Sequence, residues 1–155
     1  MNLITPEEID QILNVRILKL ASKLSLIFQR ETLRPRGIDV QQWRILVSLS
    51  LNGEMHQRSL AHHSTQDPAH TSRVVKAMIA KGWIESRSDE HDQRKILYSL
   101  TQTAAEIVKE VWPHAKQIGA DVGGLFSEDE FQHLKKMLDR ATAFCEDRLE
   151  NGNVA

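Results

Sequence analysis

The sequence predicts a mostly α fold carrying one small β-hairpin, and three observations support that expectation. Apolar residues recur three and four positions apart along most of the 155-residue chain. Helix-opening residues (Thr5, Asp39, Asp67 and Ser127) stand in front of those runs. Strict alternation is confined to "KILYSL", residues 95–100, which follows a polar tip.

The first helix is expected to open at Thr5, Pro6 and Glu8, a capping box with a first-turn proline. Ile9, Leu13, Ile17, Leu20, Leu24 and Ile27 then form one continuous stripe, about five turns long by helical geometry, and "LRPRG" ends it. A second helix starts at Asp39, runs through "VQQWRILVSLSL" with Val40, Trp43, Leu46, Val47 and Leu51 inward, and stops at Asn52-Gly53. A short third helix, "QRSLAHH", precedes a fourth, "DPAHTSRVVKAMIAKG", in which Asp67 caps, Pro68 fills the first turn and Gly82 terminates. Trp83 and Ile84 begin an extended segment, so a strand pair encloses the polar tip. From Thr101 a long helical region follows, and Pro113 predicts a bend or local unwinding near Trp112. Ser127 and Glu130 form another capping box, ahead of an apolar face of Phe131, Leu134, Met137, Leu138, Ala141, Phe144 and Leu149. Two short helices and a hairpin in this order make a winged helix-turn-helix.

Composition narrows the class. With 41% hydrophobic and 26% charged residues, no apolar stretch long enough to span a bilayer and no signal-like N-terminus, a cytoplasmic protein is expected, either one compact domain or a small domain with an extension built from shared helices. Its one cysteine, Cys145, makes no internal disulfide, and no CxxC or CxxH spacing suggests structural zinc. The net charge of -1 gives no global argument for a polyanionic partner. Local charge is more informative. On the fourth helix Thr71, Val74, Val75, Met78 and Ile79 cluster on one side, leaving Ala69, Ser72, Arg73, Lys76 and Ala80 on the other. A helix entering a major groove needs such a small, hydroxylated, basic face, although polar outer faces are more often only solvated.

Three segments carry a resemblance to the MarR family of winged helix-turn-helix transcriptional regulators. They are "GIDVQQWRILVSL", "LAHHSTQDPAHTSRVVKAMIAKGWIESR" and "DEHDQRKILYSLTQTAAEI", and the match in element order runs from about Ile9 to Leu149. The most specific features are Asp67-Pro68, Ser72-Arg73, Gly82-Trp83 and the wing's Asp92-x-Arg94. The chain departs from the family pattern at His62, His63, Ser64 and Gln66, and at Ala104, where a glycine often stands. The resemblance implies a homodimer held by N- and C-terminal dimerisation helices (1–36 and 101–155) around a DNA-binding domain at 37–100. It also implies binding to a pseudo-palindromic operator in double-stranded DNA, and repression relieved by a small-molecule effector. Ser72, Arg73 and Lys76 are expected in the major groove, with Ala69 allowing close approach and His70 in the first turn, while Arg94 is expected in the minor groove. Arg87 and Lys95 would meet phosphates, Asp89 and Glu90 would point away from DNA, and Asp92 would orient the Arg94 guanidinium. Phe28, Trp43, Trp112 and His114 are candidates for an effector pocket, where family members often bind aromatic acids, although core packing accounts equally well for the aromatics.

Rival readings draw less support. His56, His62, His63 and His70 fall within fifteen residues, but adjacent histidines diverge on a helix and no HExxH spacing occurs, so no metal or other cofactor is expected. A metal- or oxidant-responsive regulator on the same scaffold stays open, with Cys145 the oxidant candidate, though two neighbouring acids argue against a reactive thiolate and buried packing is the expected role. Catalysis is not expected: Ser72 and His70 lie two apart on a helix and point away from each other. A winged helix serving only as a protein-interaction module would favour apolar or acidic residues at 69, 72, 73 and 76, where this chain has small, hydroxyl and basic ones.

Overall fold

A computed structural model describes residues 5, 11–64, 67–90 and 92–151. The chain divides into two compact units, Met1–Ala115 and Lys116–Ala155. In chain order the helices are α1 (Leu13–Phe28), α2 (Val40–Asn52), α3 (Gln57–His63), α4 (Pro68–Ala80), α5 (Gln102–Gly123) and α6 (Glu128–Asn151). The strands are β1 (Met55–His56), β2 (Ile84–Ser88) and β3 (Ile96–Leu100).

The expected capping box at Thr5, Pro6 and Glu8 lies outside the described residues except for Thr5. A single helix running on from there is corrected by Ile12, which is extended (φ -83, ψ 113) and whose carbonyl accepts the amides of Val15 and Arg16. α1 therefore starts at Leu13 with no side-chain cap. It leaves through a π turn, Gln29–Leu33, and a 3-10 turn, Arg34–Arg36, which ends on Gly37 at φ 65, where a side chain would be strained. α2 is opened by a reciprocal capping box: the Gln42 amide donates to Asp39 Oδ1 at 2.8 Å and the Asp39 amide donates to Gln42 Oε1 at 3.2 Å. A cap of this kind contributes ~1 kcal/mol.

The core of the first unit gathers around α2. Trp43, Ile45, Leu46 and Leu49 are buried there with Leu60 of α3, Val75 and Met78 of α4, Ile84 and Tyr98 of the sheet, and Ala104 and Val111 of α5. The sequence reading of α2 needs correction at one edge. Ile45 and Leu49 are inward, whereas Leu51 is 75% exposed, because the helix buries a wider arc than one stripe and its last turn extends beyond its neighbours. On α4 the inward set is Thr71, Val75 and Met78, while Ile79 is 38% exposed.

The hairpin becomes a three-stranded antiparallel sheet of order β1-β3-β2, with Met55 opposite Tyr98 and Ser86 opposite Tyr98 on the other side. Two-residue β1 is too short to show any alternation, so sequence periodicity does not reveal it. Thr101 closes the sheet and opens α5: its hydroxyl donates to Gly82 O at 2.8 Å and accepts from the Ala104 amide at 3.3 Å. Contrary to the expected unwinding, α5 continues without interruption through Pro113. Only one backbone donor is lost there, on a helix with more than two turns on either side. In the second unit the Ser127–Glu130 box is present, with the Ser127 amide donating to Glu130 Oε2 at 2.8 Å, and these bonds hold the Glu130 carboxyl below its ordinary pKa.

Candidate nucleic-acid interface

α4 is positioned from both ends and from beneath. Asp67 Oδ1 accepts the amides of Ala69 and His70, each at 3.0 Å, and these bonds, the one from His70 foremost, depress the carboxyl pKa. Pro68 occupies the first turn at no hydrogen-bonding cost. The buried Thr71 hydroxyl donates to Asp67 O at 2.9 Å, and Gly82 at φ 70 reverses the chain into the sheet. With Thr71, Val75 and Met78 sealed against the core, the opposite side presents Ala69, Arg73, Lys76 and Ala80 to solvent and Ser72 half-buried. No ion pair ties Arg73 or Lys76 to a carboxylate among the described residues. His70 behaves differently from its neighbours. It lines a cleft with Asp39, the cap of α2, Gln42 and Arg73, and its Nε2 is buried without a hydrogen-bond partner among the described residues.

The wing is held at its root by charge. Arg87 reaches across β3 to Glu54 in a two-pronged pair, Nε to Oε1 at 2.9 Å with Nη2 on Oε2, and also approaches Glu90 Oε1 at 3.6 Å. This pairing, chiefly the Arg87 hydrogen bond, lowers the Glu54 pKa, and Glu54 in turn raises that of Arg87. His56 of β1 adds a second tie, with Nε2 3.1 Å from Asp89 Oδ2 and Nδ1 3.3 Å from Ile96 O. Arg87, expected to meet phosphates, is paired in this structure with Glu54 and close to Glu90. Sheet order brings the acid before β1 within reach of its guanidinium, and the Arg87 side chain stays 47% exposed.

The tip departs from the expected pairing. Asp92 does not hold the Arg94 guanidinium: its Oδ1 accepts the Arg94 backbone amide at 3.2 Å, and its Oδ2 pairs with Lys95 Nζ at 3.3 Å. An aspartate at a turn bonds the amide two residues on, which uses the oxygen nearest the chain and leaves the following side chains to compete for the other. The Lys95 amide donates to Asp92 O at 2.8 Å and the Asp89 amide to Lys95 O at 3.0 Å, closing the turn. Asp92 thus shapes the backbone that carries Arg94, and the Arg94 guanidinium has no ion-pair partner among the described residues. Asp89 and Glu90 are engaged by His56 and Arg87 respectively.

The four candidate pocket residues separate into two groups. Trp43 and Trp112 line a cleft of about 270 Å³ together with Arg44, Val47, His63 and Ser64. Trp112 is 45% exposed and also borders a neighbouring cleft of about 410 Å³ with Val47, Leu51 and Pro113. Phe28 packs edge-on against Trp43 at 5.6 Å between ring centroids. His114 lies elsewhere: its Nε2 is 3.2 Å from Arg36 Nη2, and Arg36 also donates to Glu110 Oε1 at 2.8 Å and Thr32 O at 2.9 Å. Positions 112 and 114 are two apart on α5, so they face different sides of it. Sequence reasoning misses Arg44, His63 and Ser64 as pocket residues, and the available signal for the first is its place directly after Trp43. Among the described residues no cluster of three or more His, Cys, Asp or Glu could hold a metal, and Cys145, expected to pack in the interior, is exposed instead. No helix of the described residues is long and apolar enough to cross a membrane.

A capped helix with a buried underside and a basic outer face, preceded by a short helix and followed by a charged hairpin, defines the winged helix-turn-helix class of DNA-reading proteins. Residues 38–96 match the MarR family, and an HTH-type transcriptional regulator of Mycobacterium leprae is 31% identical over 97 residues, spanning 59% of this chain and 68% of that one. The chain belongs to the MarR family of transcriptional regulators. Solved structures share the fold. A MarR family transcriptional regulator from Silicibacter pomeroyi superposes with a TM-score of 0.79 at 23% identity, over 94% of this chain and 97% of its own. A mutant of E. coli MarR complexed with operator DNA gives 0.75 at 22% identity, over 83% and 92%.

Proposed function

We propose that this chain is a dimeric regulator that binds a pseudo-palindromic operator in double-stranded DNA through α4 and the wing, has no catalytic activity, and acts in the cytoplasm. The observation that carries the reading is the outer face of α4. Arg73 and Lys76 stand exposed, with no ion pair among the described residues, on a helix whose other side is fixed in the core, so they are available to base edges and phosphates. In this reading Ser72, Arg73 and Lys76 enter the major groove and Arg94 the minor groove. Lys95 contributes to phosphate attraction, and Arg87 supports the wing from its root.

Segments 1–36 and 101–155 serve dimerisation, leaving 37–100 to the operator. Exposed Leu13, Leu18 and Leu20 on α1, and separately Met137, Leu138 and Phe144 on α6, support this assignment, because apolar faces of this extent are ordinarily covered. Two copies related by a two-fold axis match two half-sites one DNA turn apart. The effector, in the same reading, is a small aromatic carboxylate seated between Trp43 and Trp112, with its charge on Arg44 or His63 and the operator released on binding. Arg73→Ala is expected to weaken operator binding and relax base preference at one position, while Arg94→Ala weakens binding with the dimer intact. Unchanged affinity in both variants at physiological salt would remove the proposal.

A further inference from the structure

Where β1 meets α3, one imidazole ties the strands of the wing sheet together. His56 is the last residue of β1 and stands directly before the first turn of α3, and its side chain takes no part in capping that helix. The ring is turned toward the wing instead. Nε2 lies 3.1 Å from Oδ2 of Asp89, just past the end of β2, and Nδ1 lies 3.3 Å from the carbonyl oxygen of Ile96, the first residue of β3. Both partners are acceptors, because an ionised carboxylate and a carbonyl have no hydrogen to give. A neutral imidazole donates from one nitrogen only, so in that form the lone pair of the other nitrogen faces an acceptor oxygen. The imidazolium donates from both, and it is the form that this geometry fits.

Hydrogen bonds continue from the ring to the tip. The Asp89 side chain is 16% exposed, and its other oxygen, Oδ1, accepts the Asp92 amide at 3.3 Å. Asp92 Oδ1 in turn accepts the Arg94 amide at 3.2 Å. The backbone that carries Arg94 is therefore placed by Asp89, and His56 holds Asp89 from the junction of β1 and α3. Other charges surround the ring. Arg58 of α3, Arg94 and Lys95 line the cleft that His56 borders, and Lys95 is paired with Asp92. Glu54, two residues before His56, and Glu90 at the tip are both drawn to Arg87 of β2. Among the described residues Asp89 is the one charged group that forms an ion pair with the ring.

We infer, on the DNA-binding reading above, that His56 is a positioning residue for the wing: as an imidazolium it joins β1 to β3 and to Asp89, and operator binding tightens as pH falls. Protonation fixes the hairpin relative to the helix-turn-helix before DNA arrives, so less order has to be created on binding. Histidine is the side chain that ordinarily changes charge between about pH 5 and 8. The direction follows from the bonds, since both are present at the acid end and one is lost as pH rises.

The test measures operator affinity at about pH 5.5 and about pH 8, at fixed salt, for the full-length wild type, His56→Gln and Asp89→Asn. Wild-type affinity should fall on the order of tenfold over that range, as expected for one charge-assisted hydrogen bond lost. The side chain introduced by His56→Gln does not titrate, so this variant should show no such fall. Asp89→Asn offers an amide N–H to the lone pair of neutral His56, so its affinity should exceed that of the wild type at the alkaline end and change little with pH. A flat wild-type profile overturns the inference. So does a fall that persists in His56→Gln, which would point to His62, His63 or His70, and so does a gain in Asp89→Asn that is equal at both pH values, which marks only the removal of a negative charge. A measurement without DNA separates this contact from the reading it rests on. In the free protein the NMR shift of the Arg94 amide should move with pH in the wild type and stay fixed in His56→Gln. A wild type that selects no DNA defeats the DNA-binding reading, whereas an Arg94 amide shift that does not move with pH, or moves equally in both proteins, defeats the wing contact.

Discussion

Two adjacent residues of α4 offer a sharp test of how the recognition helix is seated. Helical periodicity places both Met78 and Ile79 on its inner side, yet Met78 is 0% exposed and Ile79 is 38% exposed. Met78→Ala removes a fully buried side chain from the cluster that includes Leu46, Leu60 and Val75, and truncations of this kind cost about 2–5 kcal/mol. Ile79→Ala removes groups already partly in water, so most of the transfer term is absent and a cost below about 1.5 kcal/mol is expected. Domains of this class have roughly 5–15 kcal/mol in total, so the first variant lowers the urea midpoint markedly and the second only slightly. Urea unfolding followed by circular dichroism, with all proteins at one concentration because a dimer's midpoint depends on it, measures both. Equal costs, or a larger one for Ile79→Ala, would mean that α4 is rotated from the orientation that exposes Arg73 and Lys76.

Other perturbations address the wing and the cleft. The Glu54 pKa is depressed, above all by the Arg87 hydrogen bond, so its stabilising contribution is present above the ordinary carboxylate pKa and is lost as pH falls through the lowered one. Glu54→Gln should therefore differ from wild type in thermal midpoint at pH 7 and converge with it as pH falls through that lowered pKa; a gap that stays constant as pH falls contradicts the pairing. Asp92→Ala frees the Arg94 amide and Lys95 at the tip, and should weaken operator binding several-fold although it removes a negative charge; tighter binding would identify the acid as simple repulsion. Tryptophan fluorescence should be quenched by an aromatic carboxylate and the response lost in Trp112→Ala, while a response that survives unchanged places the effector elsewhere.

Local chemistry makes much of this fold legible in the sequence. Asp39, Asp67 and Ser127 all accept the amides expected of helix caps, and Gly82 takes the positive φ that ends α4. The limits of α3 are equally plain, from Gln57 to His63. Features set by tertiary neighbours are not. β1 is two residues long and exists because β3 offers an edge; Leu51 repeats the apolar spacing of α2 but extends beyond what could cover it. Pro113 is accommodated in a helix that packs through Val111 two residues earlier. In the candidate interface the residue types and the face of α4 are readable from spacing, whereas ion-pair partners are not. Glu54 lies thirty-three residues before Arg87, and Asp92 has two cations within reach, Arg94 and Lys95, between which only the turn geometry decides.

The central claim is that this chain recognises a specific DNA sequence as a symmetric pair. Its most direct measurement is selection of bound duplexes from a random pool by the purified protein, at physiological salt, followed by sequencing. The account predicts an enriched motif of two inverted half-sites with centres about one helical turn, roughly 10 base pairs, apart. A retained pool with no enriched motif, or a single unpaired half-site, would contradict it.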